Sequence, residues 1–165
     1  YFHKMFFIFN KSSIFVANKQ DMIIVIFGQP GAGKTTIAQH FVKENFHHID
    51  GDVLRDIFKN KDYSREGRIK NLNRASDIAT YINSVYSNVV LSVVYPYEEC
   101  REYLNKLNKG VKWIYLIYQE DRGKDQFKVE DFELPYMDNV DLILNTSVDS
   151  VDVCADKIKN VCRIF

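Results

Sequence analysis

Gly28-Gln29-Pro30-Gly31-Ala32-Gly33-Lys34-Thr35, followed by Thr36, satisfies the spacing G-x-x-x-x-G-K-[ST]. Each residue type has a chemical reason. Glycines let consecutive backbone N–H groups turn inward around phosphate oxygens without a Cβ in the way. A helix opening at the end of the stretch adds the positive end of its dipole. Lys34 reaches the β- and γ-phosphates of a bound triphosphate, and the Thr35 hydroxyl completes the shell of a Mg²⁺ ion. The expected ligands are therefore ATP and Mg²⁺, held by Gly28, Gly31, Ala32, Gly33, Lys34, Thr35 and Thr36. The bland alternative is a glycine-rich turn that binds nothing.

A second group of chemically capable residues follows. Asp50-Gly51-Asp52 stands at the end of a short apolar-containing run, where open α/β sheets place their ligands. A carboxylate there can take the proton of an attacking hydroxyl or hold Mg²⁺ through water. It can equally be an ordinary strand-to-helix turn with Asp52 as the N-cap. Arg68 and Asn71 are three apart, so on a helix they share a face. Without more, Arg55, Arg68 and Asn71 read as solvated helix surface.

The elements that must position these residues alternate along the chain. Residues 23–27 (IIVIF) form a continuous β-branched and aromatic run, the signature of a strand buried on both faces. Helix 34–44, strand 46–49 and a brief helix 53–60 follow. A long helix over 64–86 has Ser64 as N-cap and a stripe of Ile69, Leu72, Ala75, Ala79, Ile82 and Tyr86. Strand 89–94, helix 98–108, strand 113–118, a polar stretch 119–139, strand 140–144 and helix 151–163 complete the order. Five buried strands joined by helical crossovers predict a three-layer α/β/α sandwich around a five-stranded parallel sheet. Residues 22–165 read as one domain. Residues 1–21 read as an N-terminal extension, an added strand, a hairpin or a dimer arm, with Met22 an alternative start.

Composition narrows the classes further. The formal net charge is zero, so no global field favours nucleic acid or an acidic membrane. No apolar run reaches the length of about 18 residues that spans a bilayer. Cys154 and Cys162 would lie roughly 12 Å apart along a helix, too far for a disulfide, so a reducing, cytoplasmic setting is expected. His47 and His48 are adjacent on a strand and point to opposite faces, one to the core and one to the surface or a pocket rim.

Asp50-Gly51-Asp52-Val53-Leu54-Arg55, then Tyr63-Ser64-Arg65-Glu66, Arg68 and Asn71, resemble the adenylylsulfate kinase family, whose motifs are DGDxxR and FSxExRxxN. Pro96-Tyr97 and Pro135-Tyr136 extend the resemblance. It implies the P-loop kinase fold and transfer of the ATP γ-phosphate to the 3′-hydroxyl of adenosine 5′-phosphosulfate. It makes Lys34 and Asp52 catalytic, with Thr35 and Asp52 toward the metal. It assigns Asp50, Arg55, Tyr63, Arg68, Asn71 and Pro96 to the acceptor, with Tyr63 as the ring that stacks on its base.

The chain also departs from the family. Pro30 replaces a serine of the loop, and Tyr95 replaces the serine before Pro-Tyr, placing a phenol near the expected acceptor pocket. The segment after the fourth strand is shorter than in the family and lacks its KGLY-type motif. Lys124 and Lys128 are the candidates for the missing lysine, Phe127 and Phe132 for the second stacking ring, and Arg122 for a donor contact. Most of residues 119–131 read as an exposed charged loop. Two rival readings remain: a kinase for a nucleoside, sugar or polynucleotide hydroxyl, and a nucleotide-binding module without catalysis.

Overall fold

The computed structural model describes residues 22–120 and 122–164. The expectations for residues 1–21 lie outside them. The strands are β1 (Ile23–Phe27), β2 (His47–Asp50), β3 (Val89–Ser92), β4 (Lys112–Ile117) and β5 (Leu142–Asn145). They form one all-parallel sheet in the order β2-β3-β1-β4-β5. The helices are α1 (Lys34–Val42), α2 (Gly51–Ile57), α3 (Arg65–Val85), α4 (Glu98–Leu107) and α5 (Val151–Cys162).

β1 is the middle strand because nothing in it tolerates water. Ile24, Val25, Ile26 and Phe27 are all fully buried, with alternate side chains feeding two separate cores. Val25 and Phe27 pack with Leu72, Ala75, Ala79 and Leu104 of α3 and α4. Ile24 and Ile26 pack with Ile37, Phe41 and Ile158 of α1 and α5. This is the expected α/β/α sandwich. The chain runs from β1 outward to β2, back to β3 and then across to β4, so the strand order reverses beside β1. A crevice opens at the carboxyl ends of the strands at such a point.

Several boundaries move, each for a local reason. The second helix starts at Gly51 rather than 53, because the Asp50 side chain caps it, accepting from Asp52 N and Val53 N. Asp52 is therefore not the N-cap. The long helix keeps its expected cap, Ser64, whose hydroxyl accepts from Gly67 N. Tyr86 drops out of the buried stripe: it is the C-cap and 64% exposed, because the helix outruns the sheet. Neither His47 nor His48 reaches the core, since β2 is an edge strand; His47 is exposed beside Tyr86 and His48 half-buried. Trp113 is core. All three cysteines are free and buried.

Candidate active site

Gly28 lets the chain leave β1 and turn. Its φ is +140°, and a Cβ there would collide with the Leu116 carbonyl oxygen. Gly33, in the left-handed region at φ 86°, is the N-cap of α1 and offers no side-chain cap. The first N–H groups of α1 are thus left for an anion, which a capping serine would have satisfied. Lys34 lies 9% exposed, and its Nζ donates to the Gln29 carbonyl at 2.8 Å. Burial lowers its pKa from 10.5 to about 8, against the opposing pull of Asp52 and Asp50. A buried ammonium with one neutral acceptor is under-compensated, and a polyphosphate would supply what it lacks.

The two carboxylates have different surroundings. Asp50 Oδ1 accepts from Asp52 N at 2.9 Å and Val53 N at 3.3 Å. Its Oδ2 accepts from Thr35 Oγ1 at 2.7 Å and Ser92 Oγ at 2.8 Å. Partial burial would raise the Asp50 pKa, but the hydrogen bonds from Thr35, Ser92 and the two amides outweigh it and hold the acid low. Asp50 is saturated as an acceptor, an anchor rather than a base. Asp52, one turn into the cleft, is exposed and carries no side-chain hydrogen bond among the described residues. Its charge is felt at Lys34 and at Arg55.

The opposite wall comes from α2, α3 and the turn between them. Arg55 is 9% exposed; its Nη1 donates to the Asp62 carbonyl at 2.8 Å, and its guanidinium lies 4.4 Å from the centre of the Tyr63 ring. Arg68 Nε donates to the Tyr63 carbonyl at 2.9 Å, leaving both terminal nitrogens uncommitted among the described residues. Asn71 is 2% exposed: its Nδ2 donates to the Gly51 carbonyl at 3.2 Å, while its buried Oδ1 has no partner. One cleft of 810 Å³ joins this wall to the loop. Gly31, Gly33, Lys34, Thr35, Thr36, Asp50, Asp52, Arg55, Tyr63, Arg68, Asn71 and Pro96 all line it. Of the expected residues, Gly28 and Ala32 do not; Gly28 sets the turn beneath, and Ala32 is fully buried in the α1 core.

Tyr95 does not intrude into the cleft. It is fully buried, its hydroxyl 2.8 Å from Ser76 Oγ and its ring edge-on to Trp113, so the expected obstruction is absent. A backbone at φ 44° turns the side chain inward.

The segment after β4 is more organised than a charged loop. Gln29 Nε2 donates to the Val129 carbonyl at 2.9 Å, and Val129 N donates back to Gln29 Oε1 at 3.0 Å. Tyr118 Oη donates to the Pro30 carbonyl at 2.6 Å and Arg122 Nη1 to the Gly31 carbonyl at 3.2 Å. Val129 is thereby buried, and Lys124, Phe127 and Lys128 are drawn to the cleft. Phe132 instead stacks on Tyr115 in the core. Arg65 fastens the far end, donating to Glu99 at 2.9 Å and Glu133 at 3.0 Å. The pairing of Gln29 with a backbone a hundred residues away has no signal in a single sequence. Gln29→Ala should strand the Val129 N–H, and its hydrogen exchange should quicken roughly fivefold, the worth of one hydrogen bond. Unchanged exchange would show that the side chain does not hold the segment.

Sequence reading also missed Ser92, and left His48 as one of two candidates for a pocket rim. Ser92 pairs in register with Asp50 across β2 and β3, which only the strand order reveals. For Mg²⁺ the donor set fits. Thr35 and Asp52 offer hard oxygens, and no group of three or more His, Cys, Asp or Glu among the described residues could hold a metal by itself. Mg²⁺ is ordinarily bound through one or two carboxylates with substrate phosphates and water, which is what this set can supply.

No helix of the described residues is long and apolar enough to cross a membrane. The Adenylylsulphate kinase family matches residues 20–124, ending within the shortened segment after β4. A cytidine diphosphoramidate kinase of Campylobacter jejuni is 31% identical over 100 residues, 57% of this chain and 59% of that protein. A GTP:AMP phosphotransferase of Plasmodium falciparum is 34% identical over 126 residues, 75% of this chain and 48% of that protein. The chain thus spans about half to three-fifths of these relatives' lengths. The APS kinase CysC of Mycobacterium tuberculosis, solved with AMPPNP and APS, has the same fold. It superposes with a TM-score of 0.74 at 19% identity, over 87% of this chain and 98% of that one. With the phosphate loop, the paired aspartates and the arginine wall all inside the matched span, the chain belongs to the adenylylsulphate kinase family.

Proposed function

We propose that this protein is an ATP-dependent phosphotransferase acting on a small molecule, with adenosine 5′-phosphosulfate as the acceptor and its 3′-hydroxyl as the nucleophile. The observation that carries the reading is the single cleft with a phosphate loop on one side and Arg55, Arg68 and Asn71 on the other. An acceptor with a phosphosulfate tail needs planar cationic forks, and guanidinium supplies them. The family match supports the same acceptor.

In this mechanism the α1 N-terminus and Lys34 hold the donor's phosphates. Magnesium, when bound, would neutralise charge on the transferring phosphates, held from the protein side by Thr35 and Asp52. Asp50 keeps the Thr35 hydroxyl oriented. Asp52, the aspartate with free lone pairs, takes the proton of the attacking hydroxyl. Arg68 grips the acceptor's anionic tail, Asn71 Oδ1 accepts from one of its donors, and Tyr63 packs on its base. Residues 124–129 cover the donor and exclude water, which would otherwise compete for the γ-phosphate.

A second acceptor class is favoured by the Campylobacter jejuni relative, whose name specifies a cytidine nucleotide. Stacking on Tyr63 and gripping an anionic tail do not by themselves choose a base. Labelled ATP offered with adenosine 5′-phosphosulfate, cytidine and adenosine diphosphates, a sugar and a polynucleotide end separates the possibilities. The proposal expects label in the phosphosulfate at a rate at least about tenfold above any other acceptor, a preference of ~1.4 kcal/mol. Preference for a cytidine nucleotide would replace the acceptor. ATP loss that ignores every acceptor would replace the kinase reading.

A further inference from the structure

Two pairs of side chains face each other beside the phosphate loop. Thr35 and Gln39 are four apart on α1 and share a face of that helix. His48 and Asp50 are two apart on β2 and share a face of the sheet. Thr35 meets Asp50 at 2.7 Å, and Gln39 Nε2 meets His48 Nδ1 at 3.3 Å. Ser92 sits between the pairs, 2.8 Å from Asp50 Oδ2 and 2.8 Å from His48 Nε2.

The hydrogens in this cluster can be counted. Asp50, ionised, only accepts, so the single hydrogen of Ser92 goes to Asp50 Oδ2. Ser92 Oγ must then accept from His48, which places the imidazole hydrogen on Nε2. Nδ1 is left as an acceptor, and the Gln39 amide is placed to donate to it. The hydrogens of Thr35, Ser92 and the His48 ring are then each committed once, in one direction.

We infer that His48 is a positioning residue for phosphoryl transfer: by donating to Ser92 it commits the serine hydrogen to Asp50, and so holds that carboxylate turned toward the Thr35 hydroxyl. The inference rests on the proposed nucleotide site, though not on the identity of the acceptor. Its physical content is that Asp50 Oδ2 stays fixed by two hydroxyls. With His48 removed, the serine rotor is free to turn away, and Thr35 loses its fixed orientation toward the metal side of the phosphates.

The test is calorimetric affinity for AMPPNP with and without Mg²⁺, alongside the melting temperature of the ligand-free protein. Wild type, His48→Leu and His48→Gln are compared, glutamine being able to place an N–H where imidazole Nε2 stands. His48→Leu should weaken the affinity measured with Mg²⁺ about fivefold, the worth of one hydrogen bond. It should leave the Mg²⁺-free affinity unchanged, and His48→Gln should recover most of the loss. In a Ser92→Ala background, His48→Leu should cost nothing more, because its only route to Asp50 is gone. Gln39→Ala, on the exposed side of α1, should move affinity in the same direction and carries the test if His48→Leu does not fold.

Equal losses with and without Mg²⁺ would overturn the inference, since a merely structural histidine behaves that way. So would His48→Gln no better than His48→Leu, or full additivity with Ser92→Ala. Wild-type protein that binds no nucleotide at all would overturn the phosphoryl-transfer reading along with it, a result distinct from the other three.

Discussion

Lys34→Met should abolish phosphoryl transfer and at the same time make the nucleotide-free protein more stable. The loss of activity follows from position: Lys34 opens α1 and lines the cleft, where the proposed donor's phosphates would lie. Removing one preorganised donor from such a site costs about 100- to 1,000-fold in rate, and here the donor is a full charge. The gain in stability follows from burial. A lysine whose pKa falls from 10.5 to about 8 is carried, while protonated, at a cost on the order of 3 kcal/mol.

The pH dependence has a definite sign. Below about pH 8 both folded and unfolded chains hold the proton and the cost is constant. Between about 8 and 10.5 the folded chain sheds it while the unfolded chain keeps it, so Lys34 contributes a stability that rises with pH. Lys34→Met removes both the cost and this rise. Melting temperatures of the two proteins across that range provide the check, at about 2–4 °C for each kcal/mol. A variant less stable than wild type at neutral pH would contradict the assignment of a desolvation cost to this lysine. Nucleotide binding should reverse the shift by giving Lys34 anionic partners, so near pH 8.5 binding should take up protons, read as a dependence of the calorimetric heat on buffer.

The aspartates offer the second large effect, because their neighbours differ although the sequence writes them two residues apart. Asp52→Asn should leave the Mg²⁺-free AMPPNP affinity within about a factor of two while turnover falls roughly 100-fold or more, the usual worth of a general base. Asp50→Asn should behave differently. It replaces an acceptor of four hydrogen bonds, so it should destabilise the fold by on the order of 1–3 kcal/mol and weaken Mg²⁺-dependent nucleotide binding. Because the folded-state pKa of Asp50 is depressed, its contribution is complete above the ordinary carboxylate value of 3.8 and is lost as pH falls below it. Normal turnover in Asp52→Asn, with loss only in Asp50→Asn, would move the base role out of Asp52.

Much of this architecture is written locally. The run IIVIF can only be an interior strand, and its exit into glycines and a lysine can only be a loop before a helix, because each feature depends on neighbours within one turn. The same holds for Ser64 capping α3 and for the stripe Leu72, Ala75 and Ala79 meeting the sheet. The candidate phosphate loop was legible for that reason: such a loop is made of consecutive backbone amides.

What the sequence could not decide is which distant groups share a hydrogen bond. The resemblance separates the roles of Asp50 and Asp52, but their hydrogen bonds come from the fold, which sets Asp50 against Ser92 and Thr35 and leaves Asp52 open. Tyr95 looked like an obstruction to the pocket until a left-handed backbone turned it into the core. Residues 119–131 read as solvated charge, yet Gln29 and Val129 exchange two bonds across 100 positions. Local patterns fix secondary structure because helix and strand periodicities are short-range. The direction of a proton, the burial of a phenol and the clasp on a loop depend on pairings that exist only after the sheet has ordered its strands.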